Sequence, residues 1–308
     1  MKFMYNISMS VPTISVIIPI YNTGSSAKKL IAKILRDQQT DLEIIAVDDG
    51  STDDSLAKLR TLSHPRLKIY HQKNNGASSA RNLGMLKAKG QYFIFIDSDD
   101  DISTSFITEL YKSIQDPRVD LVVTGIKYKR ILQKTTSDVY LSPQPNMQFN
   151  ESRKAYILRL FNLDGRLYSS VNKIFRASII RQHQLQFEEG IDFAEDTRFV
   201  LNYLKYAPGD IISIPKPLYI YNYGTTNSTV SKSSIIWQNW QSSYDFFLSW
   251  LGQSPTREEI KQLSLLKFRW KISHILAVSR SNLPLIEKLH YLNPFALIFG
   301  LIIKRFRP

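Results

Sequence analysis

Four apolar residues, Phe93-Ile94-Phe95-Ile96, run directly into Asp97, Asp99 and Asp100, with a fourth acid at Asp101. A short apolar run bounded by polar residues reads as a strand buried on both faces. Carboxylates crowded at its end are costly unless something cationic shares the site. One candidate is a hard divalent cation held by one or two carboxylates and by substrate phosphates. The other is an acidic helix start, because Asp followed by Ser103 and Thr104 is ordinary at a cap. The spacing alone leaves both open. Acids two apart in an extended chain share a side, which favours Asp97 with Asp99 over Asp97 with Asp100.

The surrounding elements narrow the choice. Ile14 to Ile18 is a β-branched run stopped by Pro19, hence a first strand, and Leu30, Ile31, Ile34 and Leu35 then mark one face of a helix. Leu42 to Val47 reads as a second strand ending in Asp48-Asp49-Gly50-Ser51-Thr52-Asp53, followed by a helix from Ser55 to Leu62. Leu67 to Tyr70 gives a third strand, and Asn74-Asn75-Gly76 turns into a helix from Ala77 to Lys89 that Gly90 is expected to cap. Strand and helix alternate three times before Phe93, which predicts right-handed βαβ units and a mostly parallel sheet. Each polar cluster follows a strand, so Asp48, Asp49, Arg81, Asp97 and Asp99 are expected on one sheet edge, where open α/β sheets bind ligands.

Further on, a helix is expected over Phe106–Ile114, a strand over Leu121–Gly125, helices over Ser152–Phe161 and Glu195–Tyr206, and short strands over Ile211–Ile214 and Leu218–Tyr221. From Ile235 the pattern is helical. The organisation expected is an N-terminal extension (1–12), a main domain (13–230, divided at 125 into two halves) and a helical C-terminal region (231–308).

The 308 residues are 43% hydrophobic and 22% charged, which is the composition of a globular chain. There is no cysteine, so disulfides, thiolate metal sites and a cysteine nucleophile are excluded. The net charge of +13 suits an anionic partner. Nucleic acid is set aside, because the basic residues are scattered and the carboxylate-lined edge would repel phosphates without a metal. The five histidines show no metal-ligand spacing and are read as ordinary surface or core residues. No secretory signal is expected at the start, and the longest apolar run, Phe295 to Ile303, is too short to span a bilayer. That run with Lys304-Arg305-Phe306-Arg307 reads as an interfacial membrane contact, a core-packed helix or a homodimer contact.

Four motifs in order, Ile18-Pro19-Ile20-Tyr21-Asn22, Val47 to Asp53, Gly76 to Gly84, and Asp97-Ser98-Asp99-Asp100, closely resemble the nucleotide-sugar-dependent glycosyltransferases of family 2. The resemblance is dense from residue 13 to 125 and thin to about 230. It implies the A-type glycosyltransferase α/β fold and an inverting, metal-dependent transfer of a hexose or N-acetylhexosamine. The donor would be a UDP-sugar, the cofactor Mn2+ or Mg2+, and the acceptor a hydroxyl of a glycan, lipid-linked or protein-linked molecule. Pro19 and Tyr21 would line the base pocket, and Asp48 would accept from the uracil edge while Asp49 holds the turn. Asn74, Gly76, Arg81 and Ser98 would border the nucleotide. Asp97 would serve the ribose or a metal-bound water, and Asp99 the metal itself, leaving Asp100 and Asp101 to cap the next helix. Asp196 would be the base for the acceptor, with Glu195 in reserve; acids also favour a helix start for purely structural reasons. Lys173 matches a family position near the acceptor. Tyr219-Tyr221-Tyr223 followed by Asn227 resembles a closing loop, although Asn222 and Tyr223 stand where relatives often have arginine or histidine. A bacterial surface-polysaccharide role at the cytoplasmic face of the membrane follows from the resemblance and the tail. The alternative is a non-catalytic sugar-nucleotide-binding subunit.

Overall fold

The computed structural model describes residues 12–38, 40–130, 135–139, 147, 151–163, 167–191, 194–223 and 236–280. The N-terminal extension, the closing-loop stretch after Tyr223 and the apolar, basic tail lie outside them.

Alternation of strand and helix produces the expected units. β1 (Ile14–Ile20), β2 (Leu42–Asp49), β3 (Leu67–Gln72) and β4 (Tyr92–Phe95) pair side by side in the order β3-β2-β1-β4, all parallel. Between them run α1 (Gly24–Leu35), α2 (Ser55–Arg60) and α3 (Ala77–Lys87). The sheet continues through β8 (Lys173–Arg176), β6 (Val119–Arg130) and β9 (Asp210–Tyr223) to β5 (Asp101–Ile102), with β7 (Thr135–Val139) branching from β6. β8 is antiparallel to both β4 and β6, whereas β6 and β9 are parallel. The parallel core is thus extended into one mixed sheet by the second half of the chain.

The antiparallel entry of β8 matters for the site. Phe93 pairs with Phe175 and Val123 with Lys173, so β8 begins at the edge where β1, β2 and β4 end. Residues just before Lys173 therefore face the acids that follow β4.

Alternate strand residues separate two cores. Ile17, Ile45, Phe93, Phe95 and Phe175 pack beneath α3, α5 (Arg153–Asn162) and α7 (Glu195–Tyr206). Val16, Ile18, Ala46, Ile94 and Ile96 pack against α1 and α4 (Phe106–Ile114). Burying each large side chain contributes about 1.5–3 kcal/mol. Gly84 lets α3 approach β1, since a Cβ there would stand 2.4 Å from Ile17 Cγ2. α6 (Ala177–Gln182) follows β8, and the described part of the chain ends in α8 (Ile236–Leu251) and α9 (Arg257–Arg280). Among the described residues no helix is long and apolar enough to cross a membrane.

Three local expectations are corrected. Gly90 does not cap α3; Ala88 does, and Gly90 instead donates its N–H to buried Ser15 at 2.8 Å. The segments Ile211–Ile214 and Leu218–Tyr221 are one long strand, β9, because register shifts opposite Thr124, Gly125 and Ile126 absorb Pro215 and Pro217. Asp100 and Asp101 do not cap α4, whose flanking residue is Ser105. Asp101 lies in β5 and pairs with Lys33 at 2.7 Å, while Asp100 faces inward for the reason given below.

Candidate active site

The first three strands end in turns that lock one another. Asn22, with φ 54°, accepts at Oδ1 from the N–H groups of Thr52 (2.8 Å) and Asp53 (3.3 Å). Asp49 accepts from Asn75 N–H at 2.9 Å, Gly76 N–H at 2.8 Å and the Gln72 amide at 2.8 Å. Its expected task of holding the turn follows from these three contacts. Gly50 is required between the turns, having φ +68° and space that would put a Cβ 2.6 Å from Asn74 N. Asn74 and Gly76 are left exposed, Pro19 is buried within β1, and Tyr21 offers an exposed ring at the same edge.

Asp48 is completely buried. Its Oδ2 lies 2.7 Å from His71 Nδ1, and its Oδ1 has no hydrogen-bond partner. Register dictates the pairing, because His71 is directly opposite Asp48 across β2 and β3. His71 carries no spacing signal in the sequence, and its place at the site comes from strand register alone.

The acidic run is a turn rather than a continuation of the strand. β4 stops at Phe95, and Asp100 N–H donates to Asp97 O at 3.1 Å. Strand alternation therefore does not sort these acids; their partners do. Asp100 accepts from Tyr219 Oη at 2.6 Å and from Asn222 N–H at 2.8 Å, and burial holds its carboxyl well above the usual range. Asn222 also donates its amide to Asp99 O at 2.8 Å. The end of β9 thereby clamps the turn, which accounts for Asn222 where an arginine or histidine was looked for. Ser98 is buried, 2.7 Å from Thr23 Oγ1. Asp97 accepts from Arg81 at 2.8 Å. Among the described residues, the Asp99 side chain has no partner beyond its own backbone N–H, and burial with Asp97 nearby pushes its pKa up.

Arg81 connects the halves. It is buried on α3, over the Phe187 ring, and its Nη1 lies 3.4 Å from Asp196 and 3.6 Å from Glu195 at the start of α7. Neither Nη1 nor Nε has a hydrogen-bond partner. The three acids hold its pKa above the ordinary value against the opposing effect of burial. Two acids more than 110 positions down the chain from Arg81 are thus within ion-pair reach of it.

Glu195 and Asp196 are set differently. Asp196 accepts from Ser170 Oγ at 2.7 Å and Ser169 Oγ at 3.3 Å. Glu195 makes a long contact to Arg81; burial and the neighbouring Asp196 push it up to about 7. Lys173 is fully buried near Asp196, and burial lowers its amine to about 7. The serines are not visible as site residues in the sequence, since only the β8 crossing brings them to α7.

Among the described residues no three His, Cys, Asp or Glu side chains form a metal cage. Asp99 beside Asp97 nevertheless fits the mode in which one or two carboxylates share a divalent ion with substrate phosphates.

The family model "Glycosyl transferase family 2" matches residues 15–183, more than half of the chain. The chain belongs to glycosyltransferase family 2. It is 30% identical over 223 residues to the "Uncharacterized glycosyltransferase EpsJ" of Bacillus subtilis (strain 168), covering 71% of this chain and 63% of EpsJ. The "Putative glycosyltransferase EpsH" of the same organism is 26% identical over 260 residues, 82% of this chain and 73% of EpsH. The family 2 chain thus spans less than two thirds of EpsJ. Among solved structures, S. aureus TarS 1-349 superposes with a TM-score of 0.65 at 20% identity, covering 94% of this chain and 80% of that 1-349 chain. The mannosyltransferase PcManGT of Pyrobaculum calidifontis gives 0.58 at 14% identity, covering 97% of this chain and 88% of the other. These likenesses establish the A-type α/β fold that the motifs implied.

Proposed function

We propose that this chain transfers a sugar from a UDP-sugar to an acceptor hydroxyl in a single inverting displacement. The observation that carries the proposal is the meeting, around buried Arg81, of the Asp97–Asp99 turn with the Glu195–Asp196 pair. A donor-binding carboxylate group and an acceptor base must flank one reacting carbon, and Arg81 spans the two sets.

The exposed Tyr21 ring offers a stacking face for the base. The unpartnered Asp48 Oδ1 is an acceptor for the single N–H on the edge of uracil, which would enter beside the exposed His71. Asn74, Gly76 and Ser98 border that pocket, and Pro19 forms its base from within β1. Asp99, with Asp97 through water or ribose, would hold Mn2+ or Mg2+. A divalent cation bound there would neutralise charge building on the departing diphosphate. Asp196, oriented by Ser169 and Ser170, takes the acceptor hydroxyl's proton. The acceptor oxygen bonds to the anomeric carbon as the bond to the phosphate oxygen breaks on the opposite face, and the electron pair leaves with UDP. TarS has been solved with UDP-GlcNAc, which supports a UDP-linked donor, and PcManGT with GDP-Man and Mn2+, which supports a metal. The basic, apolar tail supports an acceptor presented at a membrane surface.

Titration of UDP into the wild type and Asp99→Asn, with and without Mn2+, tests the donor half. Wild type should bind UDP more tightly with Mn2+, and the variant should lose roughly a hundredfold of that affinity, about 2.7 kcal/mol. An unchanged metal response in the variant would sink the assignment of Asp99.

A further inference from the structure

Outside the contacts used so far, the most demanding group in the fold is the Lys173 side chain. It is completely buried, and a buried amine is costly unless its hydrogens are used. Its Nζ donates to Ser169 O at 2.5 Å, Asn172 Oδ1 at 2.8 Å and Val171 O at 3.4 Å. All three acceptors belong to the one turn that precedes β8. Asn172, at φ 56°, fixes that turn to β6: its amide donates to Thr124 O, and Thr124 N–H donates back to Asn172 O at 2.9 Å. The turn's remaining polar groups point the other way. Ser169 and Ser170 donate their hydroxyls to Asp196, and Tyr168 O accepts from Thr197 Oγ1 at 2.8 Å. Among the described residues no carboxylate touches the amine; Asp196 is the charged group that acts on it through space.

We infer that Lys173 is a positioning residue, gathering the 169–172 turn around its amine so that Ser169 and Ser170 hold Asp196 at a fixed angle to the acceptor. This rests on the reading of Asp196 as the acceptor base. The physical reason for a lysine is reach and donor count. One side chain with three donors satisfies carbonyls on both sides of a tight turn, which an apolar residue would leave unpaired. Lys173 touches no substrate in this account. Its effect passes through two serines, and that route is what can be measured.

The test compares Lys173→Met, the Ser169→Ala/Ser170→Ala double variant, and their combination, in full-length protein with UDP-sugar and Mn2+. Turnover should fall on the order of tenfold to a hundredfold in the first two, the size expected when a supporting contact is lost. KM for donor and UDP affinity should stay within about twofold, as an interaction felt only in the transition state requires. The combination should be no slower than Lys173→Met alone, because both changes remove one arrangement. Wild-type turnover in the serine variant overturns the inference, whether or not Lys173→Met folds. So do losses that multiply in the combination. Asp196→Asn run in parallel separates the two ideas: if it keeps transfer, the base assignment fails; if it alone stops transfer, only the role of Lys173 fails.

Discussion

Replacing Arg81 by Met removes the cation that Asp97, Glu195 and Asp196 share while keeping an unbranched apolar stem over Phe187. At about 4 Å and an effective dielectric of 20, each of the three contacts represents roughly 4 kcal/mol of gross attraction. Burying the guanidinium costs several kcal/mol in the wild type, and the acids can relieve their repulsion by taking up a proton, so the net loss is about 3–5 kcal/mol. With an unfolding entropy of about 2.1 cal/mol/K per residue, that corresponds to a fall in Tm of roughly 5–8 °C. The loss must depend on pH. Glu195 already sits above its ordinary 4.5 and moves higher without Arg81. A carboxyl raised in the folded state keeps a proton that the unfolded chain releases, so stability falls as pH rises from the unfolded value through the folded one. Thermal unfolding of Arg81→Met and wild type at pH 5 and pH 8 should therefore show the larger gap at pH 8. A Tm gap that is absent at pH 8, or wider at pH 5, would refute the view that Arg81 neutralises this cluster.

Other expectations follow from single contacts. Tyr219→Phe leaves a buried Asp100 oxygen without its donor, so calorimetry should show about 1–3 kcal/mol less stability, and weaker Mn2+-dependent UDP binding because the turn loosens. Gly50→Ala places a Cβ against Asn74 N at positive φ and should cost at least about 1–3 kcal/mol, read from urea midpoints. Glu195→Gln should leave transfer far less affected than Asp196→Asn, because Asp196 takes the acceptor proton, and transfer assays of the two variants side by side check it.

The fold was legible where local pattern and global topology agree. β-branched runs and helix periodicity from Ile14 to Ile96 lie wholly within βαβ units, so each strand end could be placed on one edge before any contact was known. The acids of that edge were found for the same reason. What escaped was set by long-range pairing. Ser169 and Ser170 reach Asp196 because β8 enters antiparallel, and no spacing announces that crossing. His71 meets Asp48 through register alone. Asp100 looked like a helix cap because Asp near Ser and Thr usually is one; Tyr219 and Asn222, about 120 residues later, claim it instead. β9 was read as two strands because Pro215 and Pro217 punctuate it, and the sheet accommodates them with shifts of register.

In the proposed reaction two sets of acids work as one site with separate duties. The most direct measurement is Asp196→Asn assayed twice, for UDP binding with Mn2+ and for sugar transfer to an acceptor. Binding should stay within about twofold of wild type while transfer falls about 10²–10⁴-fold, the range for loss of a general base. Equal loss of binding and transfer, or transfer that survives, would contradict it.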